Sequence, residues 1–324
     1  GEGSQYVNML SDLCLHFPEV RACFDRADRV FLQDNTLPLP SQVVFPPPPA
    51  QYSPDLLSEE DLWQIDLAIT VMFSADHAIY NLLNSLQIQP QAMVGHSTGE
   101  FCALMASGAA PVKDEDQLFS YCLALRSIYQ NSMKELIPEA RFITVGGADL
   151  ALVDASIEES NGELAIAMDN CPNQVILCGR ETAINRALND LQKKGAICFH
   201  LPFERAYHTP LYQPICEKLS QFFQSIRIVP PDKVVYSCAT AQPYPQDPGE
   251  IRRLAVEQWA KPVRFRETIE AMFDAGVRIF VEVGPRDNLT GFVSDILGKR
   301  RYLAVPSDVP YRSGITQLNH LIGL

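Results

Sequence analysis

The chain has 324 residues, of which 47% are hydrophobic and 20% charged, a balance typical of a globular protein with room for about two domains' worth of core. Its formal net charge of −13 and the lack of any apolar run near ~18 residues argue against nucleic acid or a membrane as a main partner. Its nine cysteines are odd in number and form no C-x-x-C pair, which favours reduced thiols and a cytoplasmic location.

The N-terminal part is predicted to be largely helical. The chain starts without an initiator methionine or signal peptide, so we expect a piece of a longer protein. A glycine-rich turn at 1–5 leads into a predicted helix across 7–17, and a second clear helical pattern covers 67–86. Between them, residues 37–54 are dense in proline, which neither a helix nor a central strand accepts. We expect a surface loop there, with a polyproline ligand for a partner as the alternative.

A candidate nucleophile follows the first predicted strand, at 88–94. The next residues, Gly95-His96-Ser97-Thr98-Gly99-Glu100, lead directly into an apolar helix. A serine on such a sharp strand-to-helix elbow is exposed, and the flanking glycines leave no Cβ to clash. The N–H groups at the start of the helix are free to hold an oxyanion. We therefore predict that Ser97 is a nucleophile; the alternative is a structural serine in a glycine-rich helix start.

Residues 138–202 are predicted to form a small domain. Strands and helices follow one another in the order β-α-β-β-α-β, which is the ferredoxin-like arrangement, at 142–145, 150–160, 164–168, 174–178, 182–194 and 196–201. This domain would be inserted into a larger one formed by 1–137 and 203–324. A cleft between the two would pass Ser97, and such junctions favour ligand sites.

The larger domain is predicted to resume after residue 202. Helices are expected at 210–223, 268–275 and 289–296, and strands at 233–237 and 278–283, with a turn at Gly284-Pro285.

Six motifs occur in a characteristic order along the chain. They are Gly1-x-Gly3-Ser4-Gln5, Gly95-His96-Ser97-x-Gly99-Glu100, Arg126, Arg205-Ala206-Tyr207-His208, Gln258-x-x-x-Pro262-Val263-Arg264-Phe265 and Glu282-Val283-Gly284-Pro285. With these motifs the sequence resembles the malonyl-CoA:acyl-carrier-protein transacylase family, which includes the acyltransferase domains of polyketide and fatty-acid synthases. The proline-rich stretch further resembles acyltransferases of polyunsaturated-fatty-acid-type and enediyne-type iterative synthases.

The resemblance implies an α/β fold: an α/β-hydrolase-like large domain with a parallel sheet, plus the inserted ferredoxin-like small domain. The strand that precedes Gly1 in the family is absent from this sequence. Either the sequence begins late or another segment takes that place in the central sheet.

The resemblance also implies a serine–histidine dyad. Ser97 would be the nucleophile and His208 its general base, with the backbone carbonyl of Gln258 orienting the second ring nitrogen. The backbone N–H groups of Gln5 and Thr98 would form the oxyanion hole.

Three further residues bear on the substrate. Arg126 would bind the free carboxylate of a malonyl group bidentately, the alternative being a surface ion pair. Tyr207 would crowd an α-methyl group and so favour malonyl over methylmalonyl by ~1–3 kcal/mol. His96 is grouped with Tyr207 as a selectivity residue, although its ring is expected to point away from Ser97.

The predicted reaction is ping-pong transfer of a malonyl group from malonyl-CoA to the phosphopantetheine thiol of an acyl carrier protein, with no metal or redox cofactor. Neighbouring domains of a multidomain synthase are further expected partners. Five basic residues would contact an acidic carrier protein or form a solvated surface: Arg252, Arg253, Lys299, Arg300 and Arg301. Two alternatives remain open, a thioesterase or editing hydrolase with the same dyad and a non-catalytic docking module.

Overall fold

The structure, a computed structural model, describes residues 3–33, 36, 38–46, 62 and 65–324. The helices in these ranges are α1 (Ser11–His16), α2 (Pro18–Gln33), α3 (Pro40–Val44), α4 (Ile65–Ser85), α5 (Thr98–Ala106), α6 (Glu115–Leu136), α7 (Leu150–Glu159), α8 (Glu181–Lys193), α9 (Gln213–Ser225), α10 (Pro248–Glu257), α11 (Phe265–Asp274), α12 (Asn288–Leu297) and α13 (Gly314–Gly323). The strands are β1 (Ala92–Val94), β2 (Arg141–Gly146), β3 (Leu164–Cys171), β4 (Gln174–Gly179), β5 (Ile197–Leu201), β6 (Val234–Ser237), β7 (Gln242–Pro243), β8 (Val263–Arg264), β9 (Ile279–Pro285) and β10 (Leu303–Asp308). The protein therefore has an α/β fold. None of the described helices is both long and apolar enough to cross a membrane.

The strands of the described residues fall into three groups. β1 pairs in parallel with β6, which pairs antiparallel with the short β7, and β9 pairs in parallel with β10. The third group is a five-stranded sheet in the order β5-β2-β4-β3-β8. Its first four strands are antiparallel to their neighbours, and β8 joins β3 in parallel.

Strand β2 of the five-stranded sheet packs against apolar clusters on both faces. Successive side chains of a strand point to opposite faces, so Phe142 and Ile143 on β2 enter different apolar clusters. Ile143 packs with residues of α7 and α8, such as Val153 and Leu191. Phe142 belongs to the large cluster that α2, α4, α5, α6 and α9 also build.

Helix α5 lies deep in the large cluster. Phe101, Ala103, Leu104 and Met105 are all buried, which is the pattern of a helix that is apolar on every side. Its first residue directly follows Ser97, so the packing of α5 fixes where the candidate nucleophile lies.

A cavity of about 710 Å³ separates β1 from β9. Residues 92–94 and 279–283 line it, together with side chains of α4 and α11. In the part of the chain that the structure describes, β1 is paired only with β6 and β9 only with β10. Each strand therefore presents one unpaired edge to this cavity.

Two predictions for the N-terminal region were wrong. The helix expected across 7–17 is confined to Ser11–His16, because Asn8 and Leu10 adopt left-handed backbone conformations with φ of 64° and 59°. Part of the proline-rich stretch, predicted as a loop, is the helix α3. Pro40 occupies its first position, where a missing N–H costs nothing. Residue 37 and residues 47–54 of that stretch lie outside the described residues, as do residues 1 and 2.

The ends of several other elements also differ. β1, predicted from residue 88, begins at Ala92, and α11, predicted from residue 268, begins at Phe265. β3 continues to Cys171, three residues beyond its predicted end, because it pairs with β4 up to that point. Gly284 and Pro285, predicted as a turn, form the end of β9, where Pro285 is paired with Asp308 of β10.

Candidate active site

The turn between β1 and α5 is a strained elbow. Ser97 has φ 56° and ψ −121°, a conformation that residues with a Cβ rarely adopt and that costs ~1–3 kcal/mol. Gly95 lies so close to the helix that an added Cβ would come within 1.9 Å of the backbone of Gly99. Strand and helix therefore approach closely only because position 95 is glycine, and the turn then carries Ser97 at its apex.

Ser97 and His208 form a hydrogen-bonded pair. The Ser97 Oγ lies 2.8 Å from the His208 Nε2, and the two residues are only 6% and 2% exposed. On the other side of the ring, Nδ1 lies 3.3 Å from the carbonyl oxygen of Gln258 and 3.2 Å from that of Lys261. Because carbonyl oxygens only accept, Nδ1 carries the proton and donates it. Nε2 is then the acceptor for the hydroxyl of Ser97.

The His208 ring is fixed by its own backbone and by an aromatic neighbour. Its backbone, at φ 55°, is in the left-handed region, and its N–H donates to the carbonyl of Trp259 at 3.1 Å. The indole ring of Trp259 is stacked near the imidazole at 6.5 Å between centroids. Burial lowers the pKa of His208 to about 4, against the opposing effect of the two carbonyl acceptors. The imidazole is therefore neutral at physiological pH and able to accept a proton.

A narrow cavity of about 10 Å³ adjoins the dyad, roughly the space of one water molecule. It is lined by Ser97, Tyr129, Met168, Phe203, Tyr207, His208 and Trp259. Tyr207 is held in an aromatic group, with ring centroids 6.2 Å from Phe142, 6.3 Å from Phe203 and 5.3 Å from Tyr212. Its ring thus occupies the space beside Ser97. Met168 of β3 and Phe203, two residues after β5, line the same cavity.

Arg126 lies on α6, one helical turn before Tyr129, so both residues occupy the same face of the helix. It is 3% exposed, and its guanidinium lies 5.2 Å from the ring centroid of Phe31. The alternative of a surface ion pair is therefore wrong, because the side chain is not at the surface. The structure places this cation one turn from a residue that lines the dyad cavity.

The two expected oxyanion donors come from different segments. Thr98 is the first residue of α5, where N–H groups have no partner within the helix. Gln5 is buried, its side chain donating to the carbonyl of Leu62 at 2.9 Å and accepting from the N–H of Gly3 at 2.7 Å. These bonds fix the Gln5 side chain.

His96 points away from the dyad, as expected. Its Nε2 lies 2.7 Å from the Oδ1 of Asn170 on β3, and its ring packs edge-on against Phe265. The amide of Asn170 in turn donates to the Oε1 of Gln174 at 2.8 Å. Burial lowers the pKa of His96 to about 4, so the ring is neutral. Its hydrogen bond to Asn170 connects the elbow to the five-stranded sheet.

Glu100 has a structural setting that the sequence analysis did not recognise. Its carboxylate is 1% exposed and accepts hydrogen bonds from Ser237 at 2.6 Å, Tyr244 at 2.7 Å and the backbone N–H of Cys238 at 2.8 Å. The Cys238 thiol donates to the carbonyl of Gly95 at 3.2 Å. Ser237 and Cys238, at the end of β6, therefore bind the elbow both before Ser97, at Gly95, and after it, at Glu100. The sequence signal that could have indicated this setting is the acidic Glu100 in an otherwise apolar helix.

Comparisons with known proteins assign the chain to a family. The sequence model of the acyl transferase domain family matches residues 1–308 of this chain. The chain belongs to this family. A malonyl CoA-acyl carrier protein transacylase of Haemophilus influenzae is 29% identical, over 94% of this chain and 93% of that protein. One of the subunits of a polyunsaturated fatty acid synthase of Thraustochytrium is 26% identical, over 92% of this chain but 10% of that protein. A solved malonyl-transacylase in complex with a type II polyketide-synthase acyl-carrier protein has a TM-score of 0.83 and 27% identity, covering 99% of this chain and 97% of that one.

Family membership confirms the resemblance seen in the sequence, and the activity of the family is acyl transfer. The roles of individual residues depend on the geometry of this chain. Ser97, His208, Tyr207 and the carbonyl of Gln258 come together in one site, to which the structure adds the carbonyl of Lys261. Among the described residues no group of three or more His, Cys, Asp or Glu side chains is arranged to hold a metal ion.

Proposed function

We propose that this acyltransferase moves a malonyl group from malonyl-CoA to the phosphopantetheine thiol of an acyl carrier protein, through a malonyl ester of Ser97. The observation that carries the proposal is the 2.8 Å contact between Ser97 Oγ and His208 Nε2, with Nδ1 bound to backbone carbonyls. The names of the relatives, transacylases for malonyl-CoA and acyl carrier protein, support the choice of donor and acceptor.

In the first half-reaction Ser97 attacks the thioester carbonyl while its proton passes to His208 Nε2. The carbonyl oxygen becomes an oxyanion, which the N–H groups of Thr98 and Gln5 would stabilise; one such donor is typically worth ~10²–10³ in rate. Collapse of the intermediate breaks the C–S bond. The CoA thiolate leaves and takes the proton from His208, so the base is neutral again.

The second half-reaction runs the same chemistry in reverse. The thiol of the carrier's phosphopantetheine gives its proton to His208 and attacks the ester carbonyl. The C–O bond to Ser97 then breaks, and the serine oxygen recovers the proton. No metal or redox group takes part in either half of the proposed reaction.

Arg126 and Tyr207 would select which acyl group reacts. A buried guanidinium one turn from Tyr129 suits a substrate with a free carboxylate, because a bidentate, desolvated ion pair is among the stronger polar contacts. Tyr207 crowds the space beside Ser97, which favours malonyl over the larger methylmalonyl. His96 would act on selectivity only indirectly, through the position of the elbow.

We further infer the domain arrangement expected from the sequence, a ferredoxin-like domain at 138–202 inserted into an α/β-hydrolase-like domain of 1–137 and 203–324. The antiparallel order β5-β2-β4-β3 and the two helices packed on one face support the inserted domain. The chain spans 10% of the Thraustochytrium synthase protein, which supports a place beside other domains of a cytoplasmic multidomain synthase.

The test is intact-protein mass spectrometry after brief incubation with malonyl-CoA, methylmalonyl-CoA or acetyl-CoA. The wild-type chain should gain one malonyl group that carrier protein then removes, and Ser97→Ala should gain none. Arg126→Met should lose malonyl acylation by ~10²-fold yet keep its reaction with acetyl-CoA, because only malonyl has a carboxylate to bind.

Other outcomes would contradict the proposal. Steady release of CoA without carrier protein would indicate a hydrolase that uses the same dyad. Equal loss of malonyl and acetyl acylation in Arg126→Met would exclude its role as a carboxylate ligand. No adduct with any thioester would indicate a non-catalytic module.

A further inference from the structure

Arg286 is the residue that follows β9, and it has an unusual backbone conformation. Its φ of 69° lies in the left-handed region, which costs a residue with a long side chain ~1–2 kcal/mol relative to an ordinary conformation. A backbone bridge to Asp308 holds it in place. Such outliers concentrate at functional sites, where the surrounding structure maintains them.

The side chain of Arg286 contacts the residues on either side of Gln5. Its Nε donates to the carbonyl oxygen of Ser4 at 3.1 Å, and its guanidinium lies 5.3 Å from the ring centroid of Tyr6. The hydroxyl of Tyr6 donates to the carboxylate of Asp308, the residue that is also bridged to Arg286. Arg286 thus fixes this N-terminal segment from a position 282 residues away in sequence.

The bond to Ser4 has a direct consequence for Gln5. The carbonyl of Ser4 and the N–H of Gln5 belong to the same planar peptide group, in which the two bonds point in opposite directions. A cationic donor on the carbonyl oxygen therefore fixes the direction of the N–H. It also polarises the peptide, which strengthens the N–H as a donor, by ~10–30% for bonds in a chain.

We propose that Arg286 is a positioning residue of the oxyanion hole, which aims and polarises the N–H of Gln5. The proposal rests on the proposed function in one respect, since it takes Gln5 as an oxyanion donor. Arg286 itself need not touch the substrate. Its effect should therefore appear in the rate of the chemical step and not in substrate binding.

The chain offers a matched control at the other end of β9. Arg278 also donates to backbone carbonyls, that of Val277 at 2.8 Å, and its guanidinium lies 3.9 Å from the ring centroid of Phe273. It has the same types of contact as Arg286 but none with residues 3–6 among the described residues. Arg278→Met thus controls for the loss of an arginine that binds a carbonyl and a ring.

The experiment measures modification of Ser97 by a fluorophosphonate probe and by malonyl-CoA, using rapid quenching and intact mass. With the probe, the Ser97 oxygen–phosphorus bond forms, fluoride leaves, and the serine proton goes to His208. The phosphoryl oxygen uses the oxyanion hole whatever the natural acyl group is. Arg286→Met should slow both reactions about tenfold with an unchanged KM for malonyl-CoA, because the donor is misaligned and not removed. Arg286→Lys should recover most of the rate, and Arg278→Met should retain it.

Several results would overturn the proposal: an unchanged rate in Arg286→Met, an equal loss in Arg278→Met, or a change confined to KM. Thermal unfolding of each variant shows whether it is folded. If Arg286→Met is not folded, the rates of Ser97 modification in Arg286→Lys and Arg286→Gln are compared instead, and equal rates in these two variants would overturn the proposal. A wild-type chain that reacts with the probe but not with malonyl-CoA would refute the proposed function and leave the role of Arg286 to be judged by the probe alone.

Discussion

Replacing Glu100 by glutamine should change the pH dependence of stability. The carboxylate is buried among Ser237, Tyr244 and the N–H of Cys238, and burial raises its pKa to about 7 from the ordinary 4.5. The three hydrogen bonds favour the ionised form and offset burial only in part. Glutamine has nearly the same shape, and the two hydroxyls can rotate to accept from its amide, but it does not ionise.

The sign and size of this effect on the free energy of unfolding follow from the coupling between folding and proton binding at Glu100. Because the pKa of Glu100 is higher in the folded state, the folded protein binds more protons than the unfolded chain between pH 4.5 and about 7. The free energy of unfolding therefore falls as the pH rises through this window. A pKa difference of this size corresponds to about 3 kcal/mol, since one pKa unit is worth about 1.4 kcal/mol. Glu100→Gln removes this contribution and leaves those of other groups unchanged.

The assay is urea unfolding of the wild type and Glu100→Gln at several pH values from 4.5 to 8. The difference in unfolding free energy should shift by about 3 kcal/mol in favour of the variant across the window and stay constant above pH 8. Glu158→Gln, an exposed change on α7, should run parallel to the wild type at every pH. Parallel curves for Glu100→Gln would refute the reasoning, because they would mean that Glu100 has the same pKa in both states.

Three further predictions concern the site. Ser97→Gly should unfold ~2–3 °C above Ser97→Ala, about 1 kcal/mol, because glycine accepts the strained conformation that alanine does not; equal Tm values would exclude strain at the elbow. Acylation should keep its rate down to about pH 5 and then fall with the protonation of His208 near pH 4; an acidic limb near 6.5 in kcat/KM would contradict the lowered pKa. Tyr207→Ser should raise the ratio of methylmalonyl to malonyl transfer about tenfold in a competition between the two thioesters; an unchanged ratio would exclude the ring from this choice.

The parts of the site that follow from local sequence could be predicted. The elbow needs a glycine two residues before the serine and another two after it, and both requirements are visible in one short stretch. The alternation over 142–201 likewise predicts strands and helices, because each segment has to bury one face. Identification of His208, over a hundred residues from Ser97, required the family motif, since a histidine alone does not indicate its partner.

Features that depend on backbone atoms or distant contacts could not be predicted in this way. The carbonyl of Lys261 shares the proton of His208 Nδ1, but every residue has a carbonyl, so no residue type indicates this role. Strand β10 contains Pro306, which argues against a strand when the sequence is considered alone. The bond from Arg286 to Ser4 joins opposite ends of the chain, and no spacing rule links them.

The cavity between β1 and β9 has a consequence for what can bind behind the elbow. An unpaired strand edge displays a row of N–H and C=O groups that can pair with an extended segment of another molecule. Both edges that face the cavity are of this kind in the described residues, and the cavity lining also includes Gly95 and His96. A segment paired there would lie against the back of the elbow that holds Ser97.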